Sequence, residues 1–208
     1  MRQFDDLTYV HSVNVALIAS ILGQWLKFSE KDIRILTISG LLHDIGKIMI
    51  PNEILTKPGK LTVAEYNIMK QHVNFGYEKV KNQNIDIRIK EACLLHHEKC
   101  DGTGYPFGLK SDHIPAVAKI IAIADVYDAM TSARVYRGAL CPFEVIDTMY
   151  KDAFTKFEPE YILPFLKNVA SSYINNDVRL SDGRIGKVVL INENALSLPI
   201  VQCEDEFI

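Results

Sequence analysis

The chain has little that would tie it to a nucleic-acid polymer, a membrane or an oxidising compartment. Its 23 lysines and arginines are outnumbered by 26 aspartates and glutamates, for a formal charge of −3 over 208 residues. There is thus no global positive field to hold a phosphate backbone, although a local cluster can still bind a small anion. Apolar residues make up 48% of the chain, but no uninterrupted apolar run approaches the roughly 18 residues that span a bilayer. No membrane segment or signal peptide is expected. The four cysteines, Cys93, Cys100, Cys141 and Cys203, have no CxxC spacing. A disulfide framework is therefore not expected, and reduced thiols in a cytoplasmic protein are. Internal repeats, low-complexity tracts and long charge blocks are also missing.

What the chain does have is histidine beside aspartate. His11, His43, Asp44, His72, His96, His97 and Asp125 include five of the six histidines, and four of these seven side chains sit as adjacent pairs. Imidazole nitrogen mixed with carboxylate oxygen suits Mn, Fe, Zn, Co or Ni rather than a thiolate-bound structural zinc. The arrangement points to an imidazole–carboxylate metal centre.

Apolar periodicity places these residues on helices. From Val10 to Leu22 the stripe His11, Val15, Ile18, Leu22 turns His11 inward. Ser29 with Asp32 resembles a capping box and opens a helix that delivers His43-Asp44 at its C-terminal end and stops near Gly46. The stretch Ile50 to Leu61, with Pro51, Pro58 and Gly59, reads as a loop, and Thr62 with Glu65 caps a helix expected to carry His72. A further helix runs from about Asp86 to His96-His97, and Cys100 to Pro115 reads as irregular loop. The segment Ile114 to Thr131 is apolar nearly all round, so it should be a central helix, and Asp125 inside it must be paired, hydrogen-bonded or metal-bound. Helices opening at Pro142 and Pro159 follow, the second interrupted or kinked at Pro164. Asp177 to Ile191 around Ser181-Asp182-Gly183-Arg184 reads as a hairpin, with Pro199 to Cys203 as a third strand. The expected fold is mainly α, with one domain over residues 1–172 and a small β-hairpin extension over 173–208.

The ordered series His11, His43-Asp44-Ile45-Gly46-Lys47, His72, His96-His97, Asp101-Gly102-Thr103-Gly104-Tyr105-Pro106, Asp125 and Arg134 resembles the HD-GYP branch of the HD phosphohydrolases, from about Thr8 to Tyr150. The resemblance implies an HD-type helical bundle with a two-metal site. In it, His11, His43, Asp44 and Asp125 hold one ion, His72, His96 and His97 hold the other, and Asp44 bridges them. Two divalent transition-metal ions are implied, iron or manganese first, with zinc, cobalt and nickel compatible. A bridging hydroxide would be the nucleophile. Asp44 and Lys47 match the catalytic positions, and Lys47, Gly104, Tyr105, Arg134 and Arg137 match the positions that face substrate. Asp128 is read as supporting rather than ligating, and His113 matches no ligand position. Where some members carry a glutamate for a third metal, this chain has Leu7, so a two-metal centre is expected.

The implied reaction is hydrolysis of cyclic di-GMP, a bacterial second messenger, to linear 5′-pGpG, with further cleavage to GMP in doubt because of Leu7. Two readings compete with it: an HD phosphohydrolase for another nucleotide, including a different cyclic dinucleotide, and a catalytically silent module that signals through protein partners. All seven ligand positions are present, which weighs against the silent module.

Overall fold

The computed structural model describes residues 2–132, 140–204 and 206–207, and among these the side chains of 2–7 are left undescribed. Leu7's side chain, Arg134 and Arg137 lie outside the described set.

Helix α1 (Arg2–Trp25) and helix α2 (Glu30–Leu42) form an antiparallel pair. They approach closely because Gly40 lies against the backbone of Ala16, where a Cβ on Gly40 would sit 2.5 Å from the Ala16 Cα. Ser29 caps α2 by accepting from the Asp32 amide, as the sequence predicts. Beyond α2 the chain tightens into a 3-10 turn, Ile45–Met49. A short helix α3 (Asn52–Leu55) then interrupts the expected loop.

The region around His72 departs from expectation. Thr62 and Glu65 do form a capping box, but the helix they open, α4 (Val63–Met69), buries none of its residues and stops before the histidine. The Gln71 amide bonds back to the Ile68 carbonyl at 3.0 Å, a tighter turn that re-aims the chain. His72 therefore starts a separate helix α5 (His72–Val80), which buries His72, Val73, Gly76 and Val80. The capping signal located α4, whereas the break depends on which face the core accepts.

Helix α6 (Ile87–Leu95) ends at the paired histidines, with His96 as its C-cap. Helix α7 (Ala116–Thr131) is the central element, buried at Val117, Ala118, Ile120, Ile121, Ile123 and Ala124 and packed against α1, α2, α6, α8 (Pro142–Asp152) and α9 (Pro159–Ser171). Pro164 lies inside α9 without breaking it. The expected hairpin is part of a larger antiparallel sheet in the order β1 (Asp177–Arg179), β2 (Ile185–Ile191), β3 (Pro199–Cys203), β4 (Glu206–Phe207). Its first turn spans Ser181-Asp182-Gly183, with Gly183 at φ 92° supplying the left-handed residue such a loop requires. Val188, Ile191, Leu196 and Val201 share one apolar core with Val169 and Ala170 of α9.

Candidate metal centre

Five elements deliver the seven side chains to one place: α1 brings His11, the end of α2 brings His43 and Asp44, α5 brings His72, the end of α6 brings His96 and His97, and α7 brings Asp125. Glycine makes one of these approaches feasible. Gly46, just after the His-Asp pair, is pressed onto α5 so tightly that a Cβ there would lie 1.9 Å from the His72 carbonyl oxygen.

The side chains resolve into two groups, His11 with His43 and Asp125, and Asp44 with His72, His96 and His97; within each group the donor atoms lie within 4.8 Å of one another. Asp44 faces both. Its Oδ2 is 3.3 Å from His43 Nε2 and 3.7 Å from His11 Nε2, and its Oδ1 is 3.3 Å from His72 Nε2 and 3.9 Å from His96 Nε2. His11 Nε2 also lies 3.1 Å from Asp125 Oδ1. The resemblance counts Asp44 with His11, His43 and Asp125, whereas here it falls in the group of His72, His96 and His97 while one of its oxygens faces each set.

Backbone carbonyls set the imidazole tautomers. His43, His72 and His96 donate their Nδ1–H to the carbonyls of Gly40, Met69 and Ala92 at 2.7, 2.8 and 3.0 Å. Each ring then turns a bare Nε2 lone pair inward. His72 Nε2 and His96 Nε2 stand 3.4 Å apart with no proton between them. His43 Nε2 and Asp44 Oδ1 are buried without a hydrogen-bond partner. Buried polar atoms without partners are costly, and lone pairs gathered in this way within each group are what a divalent cation relieves. The residues fit a metal centre of imidazole and carboxylate donors.

Protonation follows the same division. Burial alone would depress His11, but hydrogen bonds with Asp125 and Asp128 outweigh it and raise this imidazole to about 9. Burial pushes His97 down to about 4, and also lowers His72 and, further, His96. For Asp44 the penalty of burial is overcome by Lys47 and His43, which hold it well below the usual carboxylate range. Asp125 is likewise held low, with burial opposed mainly by the His11 hydrogen bond. Lys47 sits on the 3-10 turn with its Nζ 2.5 Å from Asp44 Oδ2.

The Gly-Tyr-Pro loop borders the centre. The Tyr105 ring stacks on His97 with centroids 4.7 Å apart and 27° between the planes. A cavity of about 190 Å³ lies beside His96 and His97, walled by Val126, Met130, Met149 and Phe157, with Asp152 and Lys156 also lining it. Asp128 lies outside both donor groups: it accepts from His11 Nδ1 at 2.6 Å, Asn14 Nδ2 at 2.9 Å and the Ser132 hydroxyl at 2.9 Å. Asn14 was not anticipated, although its place one helical turn after His11 is a usable signal. His113 lies far from burial, paired with Asp112 at 3.5 Å.

The HD domain family matches residues 5–161. The cyclic di-GMP phosphodiesterase PA4108 of Pseudomonas aeruginosa is 36% identical over 203 residues, covering 97% of this chain and 49% of that protein. The 3′3′-cGAMP-specific phosphodiesterase 1 of Vibrio cholerae is 40% identical over 147 residues, covering 69% of this chain and 33% of that protein. This chain thus spans half or less of the length of these curated relatives. An HDG"Y"P protein from Bdellovibrio bacteriovorus shares the fold, with a TM-score of 0.63 at 23% identity over 76% of this chain and 50% of that one. No described helix is long and apolar enough to cross a membrane. The His-Asp doublet and both donor groups lie inside the matched span, and the chain belongs to the HD domain family.

Proposed function

We propose that this chain is a phosphodiesterase that opens cyclic di-GMP to linear 5′-pGpG. The observation that carries the reading is one buried carboxylate, Asp44, with one oxygen turned to each of two imidazole groups. His11, His43 and Asp125 with one Asp44 oxygen would hold one ion, and His72, His96 and His97 with the other oxygen a second. Iron or manganese is preferred. Bound there, two divalent cations supply Lewis acidity at the phosphodiester and a water of lowered pKa as nucleophile.

The chain's own residues bind and orient. Lys47, whose side chain is 26% exposed, is able to turn from Asp44 toward a phosphate oxygen and offset charge that develops during attack. Arg134 and Arg137 are assigned to the substrate's phosphates on the resemblance alone. Tyr105 with Gly104 presents a loop surface at the mouth, and the cavity beside His97 has room for part of a nucleobase. Water adds across one P–O3′ bond, leaving the phosphate on the 5′ carbon and a proton on the departing 3′ oxygen. With leucine at position 7, two metals and arrest at 5′-pGpG are expected. Residues 1–172 are proposed as the catalytic domain and 173–208 as its extension.

The test is anaerobic incubation with cyclic di-GMP after separate loading with manganese and iron, with products separated over time. Accumulating 5′-pGpG supports the reading, and rapid GMP overturns the role given to Leu7. Cleavage of 3′3′-cGAMP in preference, the substrate in the name of a 40%-identical relative, reassigns the substrate. No turnover with metal fully bound shifts the reading to a binding module.

A further inference from the structure

Glu98 directly follows two of the metal-facing histidines, yet its carboxylate points away from them into the Gly-Tyr-Pro loop. It is buried, at 4% exposure. Oε1 accepts the amides of Phe107 at 2.7 Å and Gly108 at 3.2 Å, and Oε2 accepts that of Leu109 at 2.9 Å. Burying a carboxylate is unfavourable unless its oxygens are satisfied. Here backbone donors satisfy both, and the same bonds provide for amides that an isolated loop would have to leave to water.

The rest of the loop is built around this anchor. Gly104 rests on the Glu98 backbone, so that a Cβ would lie 2.4 Å from the Lys99 nitrogen and 2.5 Å from the Glu98 Cα. The Tyr105 amide donates to the His97 carbonyl at 3.1 Å. Gly102 at φ 84° and Gly108 at φ 68° face each other across the loop, and Asp101 pairs with Lys110 at its base. One end of the loop is thus held by the backbone of residues 97–99 and the other by the Glu98 side chain. Between them sits the stacked pair of Tyr105 and His97, and His97 is one of the donors facing Asp44.

We infer that Glu98 is a positioning residue: by fixing the amides of residues 107–109 it holds Tyr105 against His97, and so sets both the ring of a metal donor and the loop surface that meets substrate. Its kinetic consequences rest on the phosphodiesterase reading, whereas its structural consequences do not.

Glu98→Gln keeps one acceptor oxygen but turns an NH₂ group toward the remaining amide, so it restores part of what Glu98→Ala removes. In metal-loaded protein without substrate, hydrogen exchange at Phe107, Gly108 and Leu109 should be fastest in Glu98→Ala, intermediate in Glu98→Gln and slowest in wild type. Metal affinity should fall by about 10–100-fold in Glu98→Ala, the range seen when groups that orient metal ligands are lost. With cyclic di-GMP, KM should rise more than kcat falls. The loss should be less than multiplicative with Tyr105→Ala, because a positioning role vanishes with the group it positions. Unchanged exchange at the three amides, or fully multiplicative losses in the double variant, overturns the inference. If wild type fails to cleave cyclic di-GMP, the cyclic di-GMP reading falls, and exchange and metal affinity still decide the role of Glu98.

Discussion

Asp44 and His11 show how differently two side chains of one centre respond to removal and to pH. Asp44 is the carboxylate to which both imidazole groups turn, so Asp44→Ala is expected to abolish binding of both ions and all turnover. Metal analysis of the purified variant checks this, and retained metal with retained activity would refute the shared role. His11 is held protonated to about 9 by Asp125 and Asp128, above the roughly 6.5 of an unfolded histidine. Its folded pKa is raised, so in the metal-free protein the stability it contributes is fully present below about 6.5 and is lost as pH rises through about 9. The same proton must leave before a cation can bind at this nitrogen. At pH 7.5, calorimetry in buffers of different ionisation enthalpy should show wild type releasing about one more proton per chain than His11→Ala when metal is added. At pH 10 that difference should disappear. His72, His96 and His97, whose pKa values burial pushes down, should add no such release at neutral pH. Equal proton release by the two proteins at pH 7.5 would show that His11 is already neutral.

At the scale of the element, the centre depends on how closely the 3-10 turn Ile45–Met49 lies on α5, and Gly46 sets that distance. Gly46→Ala forces the two backbones apart and is expected to cost about 1–3 kcal/mol of stability and about 10–100-fold in affinity at the His72 group. Gly59→Ala is the control. Its Cβ meets nothing within 4 Å, but its φ of 104° is strained for alanine, so it should lower stability by about 1 kcal/mol with metal affinity unchanged. Equal metal affinity in the two variants would separate the glycine contact from the site. The contrast also marks what the sequence disclosed. Ser29, Thr62 with Glu65, and Pro142 are local chemistry, so the starts of α2, α4 and α8 were legible. So was the central position of α7, because its residues are apolar on nearly every face. The break before His72 was not legible, since it follows from burial of one face of α5 against the turn at Gly46, a contact between segments about 30 residues apart in sequence. The seven side chains that the fold brings together could be named from the sequence because their order and spacing resemble a known motif series. Glu98 and Asn14 escaped because their partners, the 107–109 amides and Asp128, are identified only by the folded chain.

Over the whole molecule, the question is whether the C-terminal sheet is part of the body or a separate attachment. Its composition suggested an attachment. Yet Val188, Ile191, Leu196 and Val201 are buried in the core that contains Ile162, Phe165, Leu166 and Val169 of α9. Helix α9 also packs on α1 and α7, which carry His11 and Asp125. Removing residues 173–208 therefore uncovers one side of α9, and four apolar side chains at about 1.5–3 kcal/mol each give an upper estimate of the loss. At about 2–4 °C per kcal/mol for a chain of this size, Tm should fall, with about 12–24 °C as the ceiling set by the lower per-residue value. None of the seven donors lies in the deleted segment, so metal content and turnover at a temperature where the shortened chain stays folded should remain within about twofold of the full chain. A shortened chain that keeps its Tm would make the sheet an independent attachment. One that folds but loses metal would mean the sheet reaches the centre through α9 and the helices that α9 supports, and the boundary proposed at residue 172 would have to be abandoned.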